Sequence, residues 1–233
     1  MNYAIVFAGG TGVRMNSSVP KQFLPIQGKP VLVHTLEKFQ QSEIIDRIIV
    51  VCLKEYISLV NEFSKQYELT KISQVVPGGK TAFESQKIGI EAVYRETQND
   101  NTGIFIHDGV RPLINNELIN RCFEELKKTG SAITVSPAAE TIAVFNENKK
   151  IVKTMPRQNC VLARAPQVFY LKDIYEAHQK AAKENKEYID SASMFLDQGK
   201  TLGIVEGPTE NIKITTQYDY LVSKLLLCGD KDE

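Results

Sequence analysis

Near the start of the chain a short apolar run, Tyr3-Ala4-Ile5-Val6-Phe7, stops abruptly at Ala8-Gly9-Gly10-Thr11-Gly12. No other stretch restricts the possible folds so sharply. A buried strand that opens into three glycines within four positions reads as a parallel strand whose carboxyl end faces a ligand. Glycine tolerates positive φ and close backbone approach, and consecutive inward N–H groups form a concave anion site suited to phosphates. Arg14 and Lys21 add two positive charges just beyond the loop. The loop is neither a Walker loop, which needs a closing Gly-Lys-Ser/Thr, nor the GxGxxG turn of a dinucleotide fold. A tight connection without a ligand is the alternative reading.

The rest of the chain alternates in the same way. Pro30–Phe39 has helical apolar spacing with Pro suited to the first turn, Ile44–Leu53 is a β-branched run, and Tyr56–Tyr67 is an amphipathic helix. Ile72–Val76 predicts a strand ending at Pro77-Gly78-Gly79, Thr81–Arg95 a helix, and Gly103–His107 a buried strand. Asn115–Lys128 reads as a helix capped at Gly130, and Ala132–Val135 as the next strand. Such alternation predicts a parallel sheet covered on both faces. It breaks at Glu140–Lys153, where two apolar segments flank Asn146-Glu147-Asn148 and predict a hairpin. Beyond it come Gln167–Tyr170, helices from Leu171 to Asn185 and from Ser191, a strand at Leu202–Val205 and a closing helix near Tyr218–Leu227.

With 233 residues and 42% hydrophobic content the chain can bury one sizeable core, so one domain over 1–233 is expected. Lys plus Arg and Asp plus Glu are both 28, which gives no reason to expect nucleic acid or an anionic membrane surface as a partner. Any anion site must be local. The four cysteines are scattered without a CxxC pair, so reduced, mostly buried thiols are expected and no zinc site is. No segment has the pattern of a signal peptide or the length of a membrane span, which predicts a cytoplasmic protein.

Five corners that follow strands carry the residues suited to chemistry. The first is the glycine loop with Arg14 and Lys21, where a solvated lysine is the plain alternative for Lys21. Its pattern, GG-x-G-x-R-M followed by P-K-Q-F-L, resembles nucleotidyltransferases that activate polyol phosphates, and most closely the ribitol-5-phosphate and methylerythritol-phosphate cytidylyltransferases. The resemblance extends over nearly the whole chain. It implies a Rossmann-like nucleotidyltransferase sandwich with a mostly parallel sheet and a protruding hairpin arm at 140–153.

The remaining corners take their roles from that resemblance. Gly78, Gly79 and Ser85 match a G-G-x-x-R-x-x-S motif that, with Ala8, Gly9, Gly10, Thr11 and Gly12, contacts the nucleotide; the arginine of the motif is Ala82 here. Ser85 could equally be an ordinary helix serine. His107-Asp108-Gly109-Val110-Arg111-Pro112 matches H-D-x-x-R-P. Asp108 is then the ligand of Mg²⁺, since a carboxylate facing a triphosphate needs a cation between them and a hard oxygen suits that ion. Arg111 binds substrate or simply pairs with Asp108, and His107 more naturally satisfies backbone than acts as acid or base. Thr141 and Arg157 correspond to positions that help hold the polyol phosphate. Arg164-Ala165-Pro166-Gln167 departs from a Thr-Pro-Gln pattern and so lacks one hydroxyl. Lys213, in G-x-x-x-N-x-K-x-T, is carried over as a residue near metal and substrate phosphate; Asp190 and Ser191 are explained as well by a helix cap.

The implied reaction is attack of a polyol phosphate oxygen on the α-phosphorus of CTP, releasing pyrophosphate, with Arg14, Lys21 and Lys213 as the catalytic cations. The Phe7–Gly12, Gly109-Val110 and Lys213–Thr216 segments look more like the ribitol-type branch than the methylerythritol one, so ribitol 5-phosphate is the expected acceptor. A catalytically silent nucleotide-binding scaffold on the same fold is the reading from another class. The resemblance also implies a homodimer in which the hairpin arm and Arg157 complete the neighbouring site, because an isolated two-stranded ribbon is only marginally stable.

Overall fold

The computed structural model describes residues 1–10 and 19–229. The first strand, β1 (Asn2–Ala8), is followed by a 3₁₀ turn at Lys21–Phe23 and a minimal hairpin, β2 (Pro25–Ile26) and β3 (Lys29–Pro30). Gln27 and Gly28 close that hairpin with φ of 50° and 75°, a left-handed pair. It was not legible as strand because each arm is two residues long. Pro30 leads into α1 (Val31–Gln41), and β4 (Arg47–Cys52), α2 (Ile57–Gln66), β5 (Ile72–Pro77), α3 (Ala82–Glu96) and β6 (Gly103–Asp108) continue the expected alternation. Next come α4 (Asn116–Thr129) and β7 (Ser131–Pro137). Gly130 ends α4 with φ of 83°, the left-handed cap that an unbranched backbone adopts at little cost.

The hairpin comprises β8 (Ile142–Phe145) and β9 (Ile151–Met155), which runs two residues past the expected Lys153. It forms a sheet of its own, and Phe145, Ile151 and Val152 are 67%, 70% and 59% exposed within one chain. After it come β10 (Val161–Tyr170), α5 (Leu171–Lys183), α6 (Ser191–Asp197), β11 (Ile204–Glu206) and α7 (Gln217–Gly229).

Among the described residues the main sheet has seven strands in the order β11-β7-β10-β6-β1-β4-β5. Its pairs are parallel except that β10 runs antiparallel to both β6 and β7. A wholly parallel sheet is therefore not what forms. Parallel neighbours need a long crossover, usually helical, and between β7 and β10 there is only the hairpin and a single 3₁₀ turn, so the chain returns in the opposite sense. β10 also begins at Val161, six residues before the apolar run that predicted it.

Alternation along each strand feeds two cores. Ala4 and Val6 of β1 point with Ile48, Val50 and Phe105 toward Leu36 and Phe39 of α1 and Leu118 and Leu126 of α4. Tyr3 and Ile5 point with Ile49, Val51 and Ile104 toward Ile90 and Val93 of α3 and Ile174 of α5. Each fully buried Val, Leu, Ile or Phe among these contributes about 1.5–3 kcal/mol, enough to fix the register of the strands and hence the position of their ends. Of the cysteines, Cys52 and Cys122 are buried as expected, but Cys160 and Cys228 are only partly so; all four are free thiols. No helix among the described residues is long and apolar enough to cross a membrane.

Candidate active site

The carboxyl ends of β1 and β6, the start of α3, the middle of β10 and the loop before α7 surround a cleft of about 500 Å³. Ala8, Gly9 and Gly10 line it from β1, with Lys21 and Gln22 from the 3₁₀ turn. Gln22 is nearly fully buried and its side-chain amide donates to the Ala8 carbonyl at 2.7 Å, tying the turn that carries Lys21 to the end of the first strand. Gly10 lies close to Lys21: a Cβ there would sit 3.6 Å from the lysine Cε. Thr11, Gly12 and Arg14, also expected in the site, lie outside the described residues.

Gly79, Thr81, Ala82 and Ser85 line the opposite rim, and Gly78 sits one residue behind it. Thr81 caps α3 by accepting from Glu84 N at 3.1 Å, while the Glu84 carboxylate accepts from Lys80 N. Ser85 is part of the same construction. Its hydroxyl donates to the Thr81 carbonyl at 2.9 Å and accepts from Gly79 N at 3.1 Å. Gly78 N donates to the Cys52 carbonyl at 2.8 Å. Both glycine N–H groups are thus engaged within the protein. The close fit also requires glycine, since a Cβ at Gly79 would meet Glu84 Cβ at 2.4 Å.

Charge is concentrated at the end of β6. Arg111 Nε donates to Asp108 Oδ2 at 2.9 Å, and Lys213 Nζ to Asp108 Oδ1 at 2.7 Å. Burial alone would raise the Asp108 pKa, but Lys213 and then Arg111 outweigh it and hold the carboxyl well below the usual range. Asp108 is therefore ionised near pH 7. The pairing reading of Arg111 is realised, and Arg111 also lines the cleft and donates through Nη1 to the Asn211 carbonyl at 2.9 Å. His107 lies 1% exposed behind this cluster, with Nε2 against the Arg111 carbonyl at 3.2 Å; burial pushes its pKa down to about 4. It is neutral near pH 7 and supports backbone, as its sequence position predicted.

Lys213 is held from behind. Ile214 N donates to the Val110 carbonyl at 3.0 Å, and the Asp219 carboxylate accepts from Thr215 N at 2.8 Å and Thr216 N at 2.7 Å, capping α7 directly after the lysine. The threonines of the K-x-T-T segment are thus a helix start. Asp190 likewise caps α6, accepting from Ser193 N at 2.8 Å, and its other oxygen accepts from Gln167 at 2.9 Å.

The structure does not bring every expected residue to the cleft. Thr141 is exposed, and Arg157 donates to the Ala139 carbonyl at 3.1 Å at the base of the hairpin; neither lines the cleft of its own chain. Conversely, Arg164 and Gln86 line it although neither was singled out. The signal for Arg164 was a charged residue two positions before Pro166 in a strand segment, a place where an irregular backbone re-aims a side chain.

Comparison with known proteins agrees with this arrangement. The family model described as IspD, 2-C-methyl-D-erythritol 4-phosphate cytidylyltransferase, matches residues 2–228. A ribitol-5-phosphate cytidylyltransferase of Streptococcus agalactiae serotype V is 43% identical over 235 residues, covering 100% of this chain and 98% of that protein. A 2-C-methyl-D-erythritol 4-phosphate cytidylyltransferase of Clostridium botulinum is 35% identical over 226 residues, covering 97% of each. Among solved structures, 4-diphosphocytidyl-2C-methyl-D-erythritol synthase from Anaerococcus prevotii superposes with a TM-score of 0.83 at 26% identity, covering 97% of this chain and 95% of that one. The expected nucleotidyltransferase sandwich is the fold observed, and the chain belongs to the 2-C-methyl-D-erythritol 4-phosphate cytidylyltransferase family.

Proposed function

We propose that this member of the family transfers CMP from CTP to ribitol 5-phosphate, giving CDP-ribitol and pyrophosphate. The observation that carries the choice of acceptor is the full-length identity of 43% to a protein named for ribitol 5-phosphate, against 35% to one named for the methylerythritol phosphate. CTP is seated across the glycine-rich end of β1 and the Gly78-Gly79 loop. Carbonyl oxygens there accept from the cytosine amino group, which uracil lacks, so CTP is preferred over UTP.

The acceptor phosphate is already an anion, so no covalent nucleophile or general base is needed. Catalysis is in-line positioning and charge neutralisation. Lys21, with Arg14, stabilises the negative charge that develops at the α-phosphate, and Lys213 orients the acceptor phosphate toward it. Asp108 fixes the ammonium of Lys213 and the guanidinium of Arg111 in place. Asp108 also fits a magnesium site: it is ionised, and each of its oxygens accepts one bond from a protein cation and retains further acceptor capacity. Magnesium commonly takes one or two carboxylates together with substrate phosphates, and when bound here it would neutralise the triphosphate.

The exposed β8–β9 hairpin supports a dimer in which Thr141 and Arg157 serve the partner's cleft, since neither reaches its own. The test of the acceptor is pyrophosphate release from CTP and magnesium with ribitol 5-phosphate or 2-C-methyl-D-erythritol 4-phosphate. A higher kcat/KM for the methylerythritol compound would reverse the assignment, and no release with either would remove the enzymatic reading.

A further inference from the structure

We infer that Arg164 binds the phosphate of the acceptor, as an additional substrate-binding residue of this cleft; the inference rests on the reaction assigned above. Its position comes from an irregularity in β10. Ala163 pairs with Val135 and Gln167 with Ile133, so four steps along β10 oppose two along β7. Pro166 has no N–H to give to a ladder, and the backbone bends out at Arg164–Pro166. The carbonyls freed by the bend are satisfied by buried side chains: Asn211 Nδ2 donates to the Ala165 carbonyl at 2.7 Å, and Thr134 Oγ1 to the Pro166 carbonyl at 2.8 Å. The bulge is therefore firmly built, and it turns Arg164 into the cleft.

The guanidinium is oriented but not neutralised. Its Nε donates to Ser136 Oγ at 2.7 Å and its Nη1 to the Asn211 carbonyl at 3.0 Å, which leaves three of its five N–H donors. Asn211 O is also the acceptor for Arg111, so two guanidinium groups are held side by side. Arg111 shares the Asp108 carboxylate with Lys213, whereas among the described residues Arg164 has no carboxylate within ion-pair distance. Burial first, and then the Arg111 charge, disfavour the Arg164 cation, with Glu210 opposing. A preorganised fork with spare donors, in a cationic wall that carries excess charge, is a phosphate-binding arrangement.

Sheet order indicates which phosphate. The glycine loops follow β1 and β5, and β10 lies on the far side of β6 from both. With a nucleotide seated on those loops as proposed above and its phosphates toward the cations at Asp108, Arg164 stands one strand beyond, on the side left to the acceptor.

Steady-state kinetics with the intact enzyme, varying ribitol 5-phosphate and CTP separately, test this. Arg164→Gln is expected to raise the acceptor KM about 10- to 100-fold while the CTP KM stays within about twofold, because a charge-assisted pair is lost at one substrate only. Arg164→Lys keeps the charge without the fork and is expected to fall between, with inorganic phosphate weakened by the same factor as an inhibitor competing with the acceptor. An unchanged acceptor KM, or an equal rise for CTP, overturns the inference. Should Arg164→Gln fail to fold, Arg164→Lys decides by the same split. Failure of the parent enzyme to turn over any polyol phosphate would instead defeat the reaction assigned above, which separates the two outcomes.

Discussion

The two walls of the cleft are made of different chemistry. On the α3 side, where Lys80 adds a charge at the rim, Gly79, Thr81 and Ser85 present neutral backbone and hydroxyl groups held in one bonded turn. On the β6 side, Asp108, Arg111, Arg164 and Lys213 form a charged network with more cations than carboxylates. Neutral, preorganised groups discriminate among bases at modest energetic stakes, whereas charged groups in a partly desolvated cleft act on phosphates and transition-state charge. Substitutions on the two walls should therefore differ in which kinetic constant they move.

The largest effect is expected at Lys21, at the junction of the two walls. Lys21→Ala should lower the single-turnover rate about 100- to 1,000-fold with CTP affinity nearly unchanged, the pattern of an interaction made mainly in the transition state. Rapid-quench measurement with titration of CTP binding checks this, and a weaker affinity with an unchanged rate would move Lys21 to the ground-state wall. Next in size is a test of whether the charged wall is finished by a second chain. Coexpressed Lys21→Ala and Arg157→Ala chains, each nearly inactive alone, should give mixed dimers with roughly half the parent activity, because one of the two symmetric sites then collects both lesions. Inactive but folded mixed dimers would mean that each chain completes its own site.

Asp108 provides a stability test of the charged wall. Its carboxyl pKa is depressed in the folded state, so its pairing stabilises the protein fully above the unfolded-state value of about 4 and is lost as pH falls further. Asp108→Asn should cost about 1–3 kcal/mol at pH 7, and the gap to the parent should shrink below about pH 4. Urea titrations at the two pH values measure it; a gap independent of pH would show that the ion pairs contribute little. The smallest effect belongs to the neutral wall. Ser85→Ala, which leaves Gly79 N unpaired, should raise the CTP KM about 3- to 10-fold and leave kcat within about twofold. A loss in kcat as large as that of Lys21→Ala would erase the distinction between the walls.

Much of the charged wall was legible because its residues sit immediately after strands in short, ordered motifs: Lys21, Asp108, Arg111 and Lys213 all reach the cleft. The neutral wall was legible as glycine and serine but not in its bonding, because the direction of a loop N–H depends on backbone dihedrals that residue type does not specify. Arg164 escaped because its role depends on the β10 bulge, which is a mismatch between two strands and has no counterpart in a one-dimensional pattern. Thr141 and Arg157 took their roles from resemblance alone, and the hairpin holds them away from the cleft of their own chain.

By itself the sequence determined the alternating α/β order, the strand ends at which ligand-binding residues gather, and the cap at Gly130. These follow from hydrophobic periodicity and from local backbone preferences, which act over a few residues. Only the tertiary structure decided that β10 runs antiparallel between β6 and β7, that Asp108 is shared by Arg111 and Lys213, and that Arg164 stands beside them without a carboxylate partner. Those outcomes depend on which distant segments meet, and long-range pairing is set by burial of both sheet faces at once, a condition that no local stretch of chain contains.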